Sequence, residues 1–74
     1  MMPITMAEIN KPMLIGKIKD KGSVKTYLEK LGFIPGCEVT LVAKQNGNII
    51  CKIKESRIAI NRDMAKCILI NPKI

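Results

Sequence analysis

Two kinds of hydrophobic spacing alternate along this chain, and they predict one helix among several short strands. Between Ser23 and Leu31 the apolar residues recur every three or four positions, which is the period of one helical face. The stripe on that face consists of Val24, Tyr27, Leu28 and Leu31. Ser23 is the predicted N-terminal cap, since its side-chain oxygen could accept from a free backbone N–H. Gly32 is predicted to end the helix in a left-handed conformation.

The segment after the helix predicts a sharp turn into a strand. Pro35 fits the first central position of a type II β-turn, because its ring presets a negative φ there. Gly36 fits the second central position, where φ is positive. From Glu38 onward the apolar positions alternate with a period of two, so the chain is expected to leave this turn as a strand.

Five segments alternate apolar and polar residues as half-buried strands do. They are residues 13–20, 38–44, 48–54, 57–61 and 66–71. Asn46-Gly47 predicts a type I′ hairpin between the second and third strands, because both central positions of that turn need positive φ. Glu55-Ser56 predicts a tight turn before the fourth strand. The residues expected to face the core are Leu14, Gly16, Ile18, Val39, Leu41, Ala43, Ile49, Cys51, Ile53, Ile58, Ile60, Ile68 and Ile70.

Two short helical turns complete the predicted architecture. Thr5 and Glu8 match a capping box near the N-terminus, and residues 62–65 fit a single turn capped by Asn61. The fold class is therefore mainly β: a small, partly open barrel of about five strands, with one helix inserted after the first strand and a short N-terminal helical turn. No linker or repeat divides the chain, so residues 1–74 are expected to form one domain.

The composition narrows the class of protein. A chain of 74 residues, 47% of them apolar, is too apolar for a disordered segment and too short for a large core. With one Phe, one Tyr and no Trp, that core must be aliphatic. The net charge of +7 fits nucleic acid, an acidic protein, an anionic lipid surface or simply a solvated basic surface.

The sequence also predicts where the protein works. Its longest wholly apolar run, residues 67–70, is far shorter than the roughly 20 residues of a membrane-spanning helix. No basic leader followed by an apolar stretch opens the chain, so no secretory signal is expected. Three cysteines cannot all pair within one chain, and reduced thiols fit a cytoplasmic location without direct membrane insertion.

Two groups of residues resemble a known family. The run from Leu28 to Gly36 resembles the L-x-x-L-G-F-x-P-G signature of the FeoA family, and the pattern after Arg57 is similar to that family's C-terminal part. The signature residues are Leu28, Leu31, Gly32, Phe33, Pro35, Gly36, Ile58, Ala59, Ala65 and Ile68. Arginines are common in the family just before the first signature Leu, whereas this chain has Lys25, Thr26 and Tyr27 there. A role that depends on such an arginine is therefore not carried over to this chain.

The resemblance implies an SH3-like barrel and a function. FeoA proteins are small cytosolic accessory proteins of bacterial ferrous iron uptake. The implied partner is the cytosolic GTP-binding domain of the membrane ferrous iron transporter, which would place the protein at the periphery of the inner membrane. The resemblance supplies no catalytic residues, and no enzymatic activity is expected.

The family name raises the question of transition metal binding. A metal site needs three or four converging His, Cys, Asp or Glu ligands, and this chain has no His. Cys37, Cys51 and Cys67 lie in separate predicted elements and form no C-x-x-C motif. Cys51 alternates with isoleucines, as a buried thiol does. We therefore expect no metal site, no cofactor and no catalytic constellation.

Contact with another protein is the leading interpretation, and its candidate residues come from two places. Lys25, Glu29 and Lys30 lie on the predicted solvent side of the helix. Four apolar residues fall opposite the predicted core faces of their strands, namely Ile15, Val42, Ile50 and Leu69. Weak homo-oligomerisation through such residues stays open.

The alternative is a basic barrel that binds nucleic acid, or an SH3-like interaction module of the kind found in metal-dependent repressors. Two clusters of basic residues support it, one around Lys17 to Lys25 and one formed by Lys52, Lys54 and Arg57. Single-strand binders add aromatic stacking platforms, for which Tyr27 and Phe33 are the candidates. Since both are predicted to be buried or half-buried, no nucleic acid partner is expected.

Overall fold

The computed structural model describes residues 1–73, and six antiparallel strands form one sheet in the order β1-β6-β2-β3-β4-β5. The strands are β1 (Met2–Pro3), β2 (Pro12–Ile18), β3 (Glu38–Gln45), β4 (Asn48–Ile53), β5 (Ser56–Asn61) and β6 (Ile68–Pro72). A 3₁₀ turn covers Ile4–Met6, and the helices are α1 (Ser23–Leu31) and α2 (Arg62–Ala65). The mainly β class and the helix after the first long strand are confirmed.

The sheet differs from the prediction in its strand number and its closure. The short strand β1 was not predicted, because two residues are too few to show a period of two. It pairs with β6 through Met2 and Pro3. Within residues 1–73 no ladder joins β1 to β5, so the sheet stays open between its two edge strands.

Helix α1 begins with a different cap from the one predicted. Ser23 is its first helical residue, and Gly22 occupies the cap position without a side chain to offer. The carboxylate of Asp20 takes over: its Oδ2 accepts from the N–H of Gly22 at 3.0 Å and from the N–H of Lys25 at 3.2 Å. A carboxylate also suits the positive end of the helix dipole. The predicted Ser23 cap is therefore wrong, although the helix boundaries are nearly right.

The C-terminus of α1 is a Schellman motif. Gly32 has φ of 105°, and its N–H donates to the carbonyl of Glu29 at 3.0 Å. The N–H of Phe33 donates to the carbonyl of Leu28, also at 3.0 Å. Phe33 and Leu28 are both fully buried, which supplies the apolar contact that accompanies this motif. The predicted helix end at Gly32 is confirmed.

The predicted Pro35-Gly36 turn is confirmed, and backbone hydrogen bonds join it to the sheet. Gly36 has φ of 92°, and the N–H of Cys37 donates to the carbonyl of Ile34 at 3.0 Å, as a type II turn requires. The N–H of Gly36 donates to the carbonyl of Ile15 at 2.7 Å, and the N–H of Ile15 donates to the carbonyl of Cys37 at 2.8 Å. The turn therefore has a fixed position beside β2.

Irregularities in two strands overturn four predicted side-chain directions. The β2–β6 register shifts between Ile15 and Lys17, so Ile15 is buried while Leu14 and Gly16 are half-buried outside the core. The β3–β4 register shifts between Leu41 and Ala43, and half-buried Ala43 lies opposite Ile50. Because an extra residue in one strand reverses the alternation beyond it, a strict period of two gives the wrong face there. Ile15 is a core residue and is removed from the set of candidate partner contacts.

The short connections agree with the prediction in part. Asn46 and Gly47 both have positive φ, which confirms the type I′ hairpin. The next turn consists of Lys54 and Glu55, one residue earlier than predicted, because Ile53 pairs directly with Ser56. At α2 the predicted cap is confirmed, since the Oδ1 of Asn61 accepts from the N–H of Met64 at 2.8 Å.

At the N-terminus the predicted capping box does not form. The 3₁₀ turn begins after Pro3 and has no side-chain cap. It is closed instead by the N–H of Ala7, which donates to the carbonyl of Ile4 at 3.0 Å. Ile4 is buried at 1% exposure, so core packing holds this turn in place. Apart from Phe33, the buried cluster of the described residues contains no aromatic side chain, as the composition predicts.

Candidate partner-binding surface

Two grooves lie around the tip of the β4–β5 hairpin. One, the apolar groove, has a volume of about 400 Å³. It is lined by Lys30, Leu31, Gly32, Ile34, Cys37, Ile53, Lys54, Ser56 and Ile58. The other, the basic groove, has a volume of about 720 Å³. It is lined by Asn10, Pro12, Cys37, Glu38, Thr40, Val42, Lys52, Lys54 and Arg57.

The apolar groove exists because the chain turns away from the helix before its apolar stripe is fully covered. Leu31 is the last residue of α1 and is only half-buried. Gly32 redirects the chain, and Ile34, placed just before the Pro-Gly turn, is 47% exposed. Ile58 faces the same side from β5 and is half-buried. These side chains leave apolar surface open to solvent beside the signature turn.

The basic groove follows from the register of four neighbouring strands. Pro12 pairs with Thr40, Thr40 with Lys52, and Lys52 with Arg57. Directly paired residues present their side chains on the same face of a sheet. Lys52 and Arg57 therefore stand side by side on the outer face, and Lys54 joins them from the turn. Lys52 and Arg57 are therefore adjacent like charges, and neither forms an ion pair within residues 1–73.

The two grooves adjoin, because Cys37 and Lys54 line both. We call their combined lining the joint groove. Its cations are Lys30, Lys52, Lys54 and Arg57, and its one acid is Glu38. The carboxylate of Glu38 is ion-paired with Lys73 outside the groove. The joint groove therefore combines an apolar floor with an excess of positive charge.

The sequence-based candidates divide among several places. Lys30 and Val42 line the joint groove, while Lys25 and Glu29 lie on α1 outside it. Ile50 lies on the outer face between Ala43 and Ala59, which is next to the groove rather than in it. Leu69 lies on β6, with β2 and β3 between it and β4. The half-buried residues Val42, Ile50 and Leu69 therefore do not form one continuous patch.

The signature residues have mainly structural positions. Leu28, Phe33, Ala65 and Ile68 are buried in the core. Gly32, Pro35 and Gly36 form the helix end and the turn. Leu31 and Ile58 line the apolar groove, and Ala59 is exposed on β5. The sequence reasoning missed Ile34 and Cys37 as surface residues. An isoleucine directly before a Pro-Gly turn was the available signal for the first.

The thiols do not converge on a common site. Cys37, Cys51 and Cys67 are free, and burial raises the pKa of the Cys51 thiol to about 11. A raised pKa keeps Cys51 protonated, which disfavours it as a nucleophile or a metal ligand. Over residues 1–73 no group of three His, Cys, Asp or Glu side chains is placed to hold a metal ion. No helix in this part of the chain has the length and apolar character needed to cross a membrane.

Comparison with solved structures shows a shared fold. An iron uptake regulatory protein (FeoA) superimposes with a TM-score of 0.85 at 18% identity, over 95% of this chain and 93% of the other. Iron(II) transport protein A from Clostridium thermocellum gives 0.87 at 24% identity, over 96% and 45%. Zinc-complexed FeoA from Stenotrophomonas maltophilia, described as a prokaryotic SH3 domain protein, gives 0.84 at 21% identity, over 96% and 91%. These likenesses confirm the SH3-like fold.

Comparison at the level of sequence identifies the family. No curated protein sequence matches the chain significantly. The FeoA domain profile, in contrast, matches residues 2–72, which is almost the whole chain and includes both signature regions. With the helix end, the Pro-Gly turn and the SH3-like sheet all in place, the chain belongs to the FeoA family.

Proposed function

We propose that this protein is an accessory protein of bacterial ferrous iron uptake, and that it acts by binding the cytosolic GTP-binding domain of the membrane iron transporter. The observation that carries the proposal is the FeoA profile match over residues 2–72. Structural neighbours named for iron(II) transport and iron uptake regulation support it. The proposed setting is the cytosolic face of the inner membrane, which the protein reaches through its partner.

The side chains of the surface support binding rather than catalysis. The described chain has no buried polar or charged side chain of the kind that an enzyme holds in place for proton transfer. The joint groove instead offers exposed cations beside half-buried aliphatic residues. Protein interfaces commonly combine an apolar centre with a polar rim. Such a surface can dock on the transporter and change its rate of GTP hydrolysis or transport without contributing a reacting group.

Charge gives this proposal a measurable signature. With a net charge of +7, the protein will associate faster with a partner whose facing surface is acidic. Salt will slow that association, because exposed charges are screened over about 10 Å at 0.1 M ionic strength. The apolar floor of the groove, in contrast, is insensitive to moderate salt.

The first test is a titration of isotope-labelled protein with the GTP-binding domain of the ferrous iron transporter from the same organism, followed by NMR. We expect shift changes confined to one surface that includes the joint groove. Lys52→Glu should weaken binding roughly tenfold, which is about 1.4 kcal/mol of binding free energy. Lys19→Glu is the matched control, since Lys19 is exposed and lies outside both grooves.

Two results would contradict the proposal. One is the absence of any shift change with the transporter domain at high concentration. The other is an equal effect of Lys52→Glu and Lys19→Glu, because equal effects would show that only the net charge matters and that no specific surface is used.

Nucleic acid is the second candidate, and the three neighbouring cations of the basic groove favour it. The aromatic residues do not, because Phe33 is fully buried and Tyr27 lines neither groove. The predicted burial of Tyr27 is wrong, since this side chain is 47% exposed on α1. Binding to a random duplex or single strand would have to weaken linearly with the logarithm of salt concentration. The absence of binding at low salt would exclude this candidate.

A further inference from the structure

We propose that the joint groove binds an extended, acidic segment of a partner protein, which places a large apolar side chain in the apolar groove and pairs its backbone with the free edge of β5. This inference rests on the proposed function as a binding protein. It adds the chemical kind of segment that is recognised and the way in which it is held. Three independent features of the surface lead to it.

The first feature is the free edge of β5. Over residues 1–73 its ladder runs to β4 only, and β5 is the last strand of the sheet. Because a two-residue turn joins Ile53 to Ser56, this pair exchanges backbone hydrogen bonds, and the alternation then points the N–H and C=O groups of Arg57 and Ala59 away from β4. Both residues are exposed, and neither backbone is bonded to a loop or helix of the described chain. An added strand would find its partners there.

The second feature is the position of the apolar groove beside that edge. Ser56 and Ile58 of β5 form one wall, and Leu31 and Ile34 contribute to the rest. Side chains of a strand alternate between its two faces, so a segment paired with β5 would direct every second side chain toward the same face as Ile58. The groove, at about 400 Å³, has room for a leucine-sized side chain. Such an anchor would cover the exposed part of Ile34.

The third feature is the charge around this path. Lys30 and Lys54 flank the apolar groove, and Lys52 and Arg57 continue the positive surface on the other side of the hairpin tip. Glu38 is already ion-paired with Lys73. These four cations form no ion pair in the described part of the chain, so carboxylates next to the apolar anchor would be attracted to them, while a basic segment would be repelled. A second copy of this chain, at +7, has the wrong charge to be the occupant.

The test uses four synthetic peptides of equal length and NMR of the labelled protein. The first peptide consists of Glu residues and two central Leu residues, and Leu and Glu alternate at its centre. In the second the leucines are Ser, and in the third the glutamates are Lys. In the fourth the side chains of the first are kept, but alternate backbone nitrogens are methylated, which removes hydrogen-bond donors. We expect the first peptide at millimolar concentration to shift the amides of Ile34, Cys37, Arg57 and Ala59, and the other three to bind at least about tenfold more weakly.

Variants of the protein test the same contact from its own side. Ala59→Pro removes one backbone donor, and proline is tolerated where that donor faces away from the ladder. It should abolish binding of the first peptide, whereas the control Ala59→Val keeps the N–H and should bind normally. If Ala59→Pro fails to fold, Arg57→Glu and the methylated peptide still decide the question, because neither disturbs the β4–β5 ladder.

Several results would overturn the inference. They are the absence of any localised shift with the first peptide, equal binding of the methylated peptide, and tighter binding of an oligonucleotide to the same amides. Another is a concentration-dependent shift of these amides without peptide, which would assign the edge to self-association. If the peptide binds and the transporter domain does not, the inference stands and the proposed function fails. If the transporter domain binds Ala59→Pro as well as wild type, the function stands and the inference fails.

Discussion

At the scale of single residues, Cys51 shows most clearly what burial does. It lies in β4 between Ile49 and Ile53, and its side chain has no exposed surface. Burial raises its pKa from 9.0 to about 11, because the thiolate would lose its hydration. The thiol therefore packs as a small apolar side chain, as its alternation with isoleucines predicts. Its titration also makes the fold less stable at alkaline pH.

The sign of that dependence follows from the two pKa values. The unfolded chain releases the Cys51 proton near pH 9, whereas the folded protein holds it until about pH 11. The contribution of the Cys51 thiol to the free energy of unfolding is therefore fully present below pH 9. It falls between pH 9 and about 11, by at most about 1.4 kcal/mol per pH unit. Urea unfolding across this range should show a steeper fall for the wild type than for Cys51→Ala. Parallel curves would show that another group causes the alkaline loss.

At the scale of elements, the two ends of α1 are stabilised in different ways. Gly32 closes the helix locally, within a Schellman motif. The beginning depends on Asp20, which lies before the helix and accepts from the N–H groups of Gly22 and Lys25. Ser23 is the residue that the sequence favours as a cap, yet it makes no cap hydrogen bond.

This arrangement gives a matched pair of variants. Asp20→Ala should lower the free energy of unfolding by about 0.5–2 kcal/mol, because two backbone donors lose their acceptor. Ser23→Ala should change it by only a few tenths, or raise it slightly, because Ala has the higher helix propensity. Chemical denaturation measures both. A larger loss for Ser23→Ala than for Asp20→Ala would show that serine is the cap.

The elements also show which structural features can be predicted from the sequence. The Asn46-Gly47 hairpin, the Pro35-Gly36 turn, the Gly32 helix end and the Asn61 cap depend on neighbours within a few positions, and all were predicted. The bulges near Gly16 and Val42 depend on how strands from distant parts of the chain align, so the alternation alone placed Ile15 and Ala43 on the wrong faces.

The candidate site was less predictable than the fold. Lys52, Lys54 and Arg57 could be recognised as a basic group from their spacing alone. Their position beside Leu31, Ile34 and Ile58 could not, because helix, turn and hairpin meet only in the folded protein. The family signature indicated the turn but not the surface that it exposes.

At the scale of the whole molecule, size limits what a mutation can show. A small domain buries a modest fraction of the surface of its unfolded chain, and its stability is expected at the low end of the usual range, about 5 kcal/mol. Leu28 is fully buried, whereas Leu31, four residues before Pro35, is half-buried in the groove wall. Substitutions at these two leucines should therefore have different consequences for folding and for binding.

Leu28→Ala should cost about 2–5 kcal/mol, which is a large part or all of a stability of about 5 kcal/mol, and the variant should unfold at a much lower denaturant concentration. Leu31→Ala should cost about 1–2 kcal/mol, since it removes less buried surface, and the protein should stay folded. Denaturation followed by circular dichroism compares the two. Equal losses would show that Leu31 packs as tightly as Leu28. A folded Leu31→Ala can then be used in the binding titrations.

The strand order has one more consequence, which concerns the route by which the chain reaches this structure. The β3–β4 and β4–β5 ladders are each closed by a two-residue turn, whereas in the β2–β6 ladder Ile18 pairs with Ile68, fifty positions later. Loop-closure entropy rises with the length of chain enclosed, and contacts between distant residues slow folding. The largest entropic barrier therefore belongs to β6, which must find β2 and β1 together, while the β3–β4–β5 meander can form beforehand and present a template for the rest.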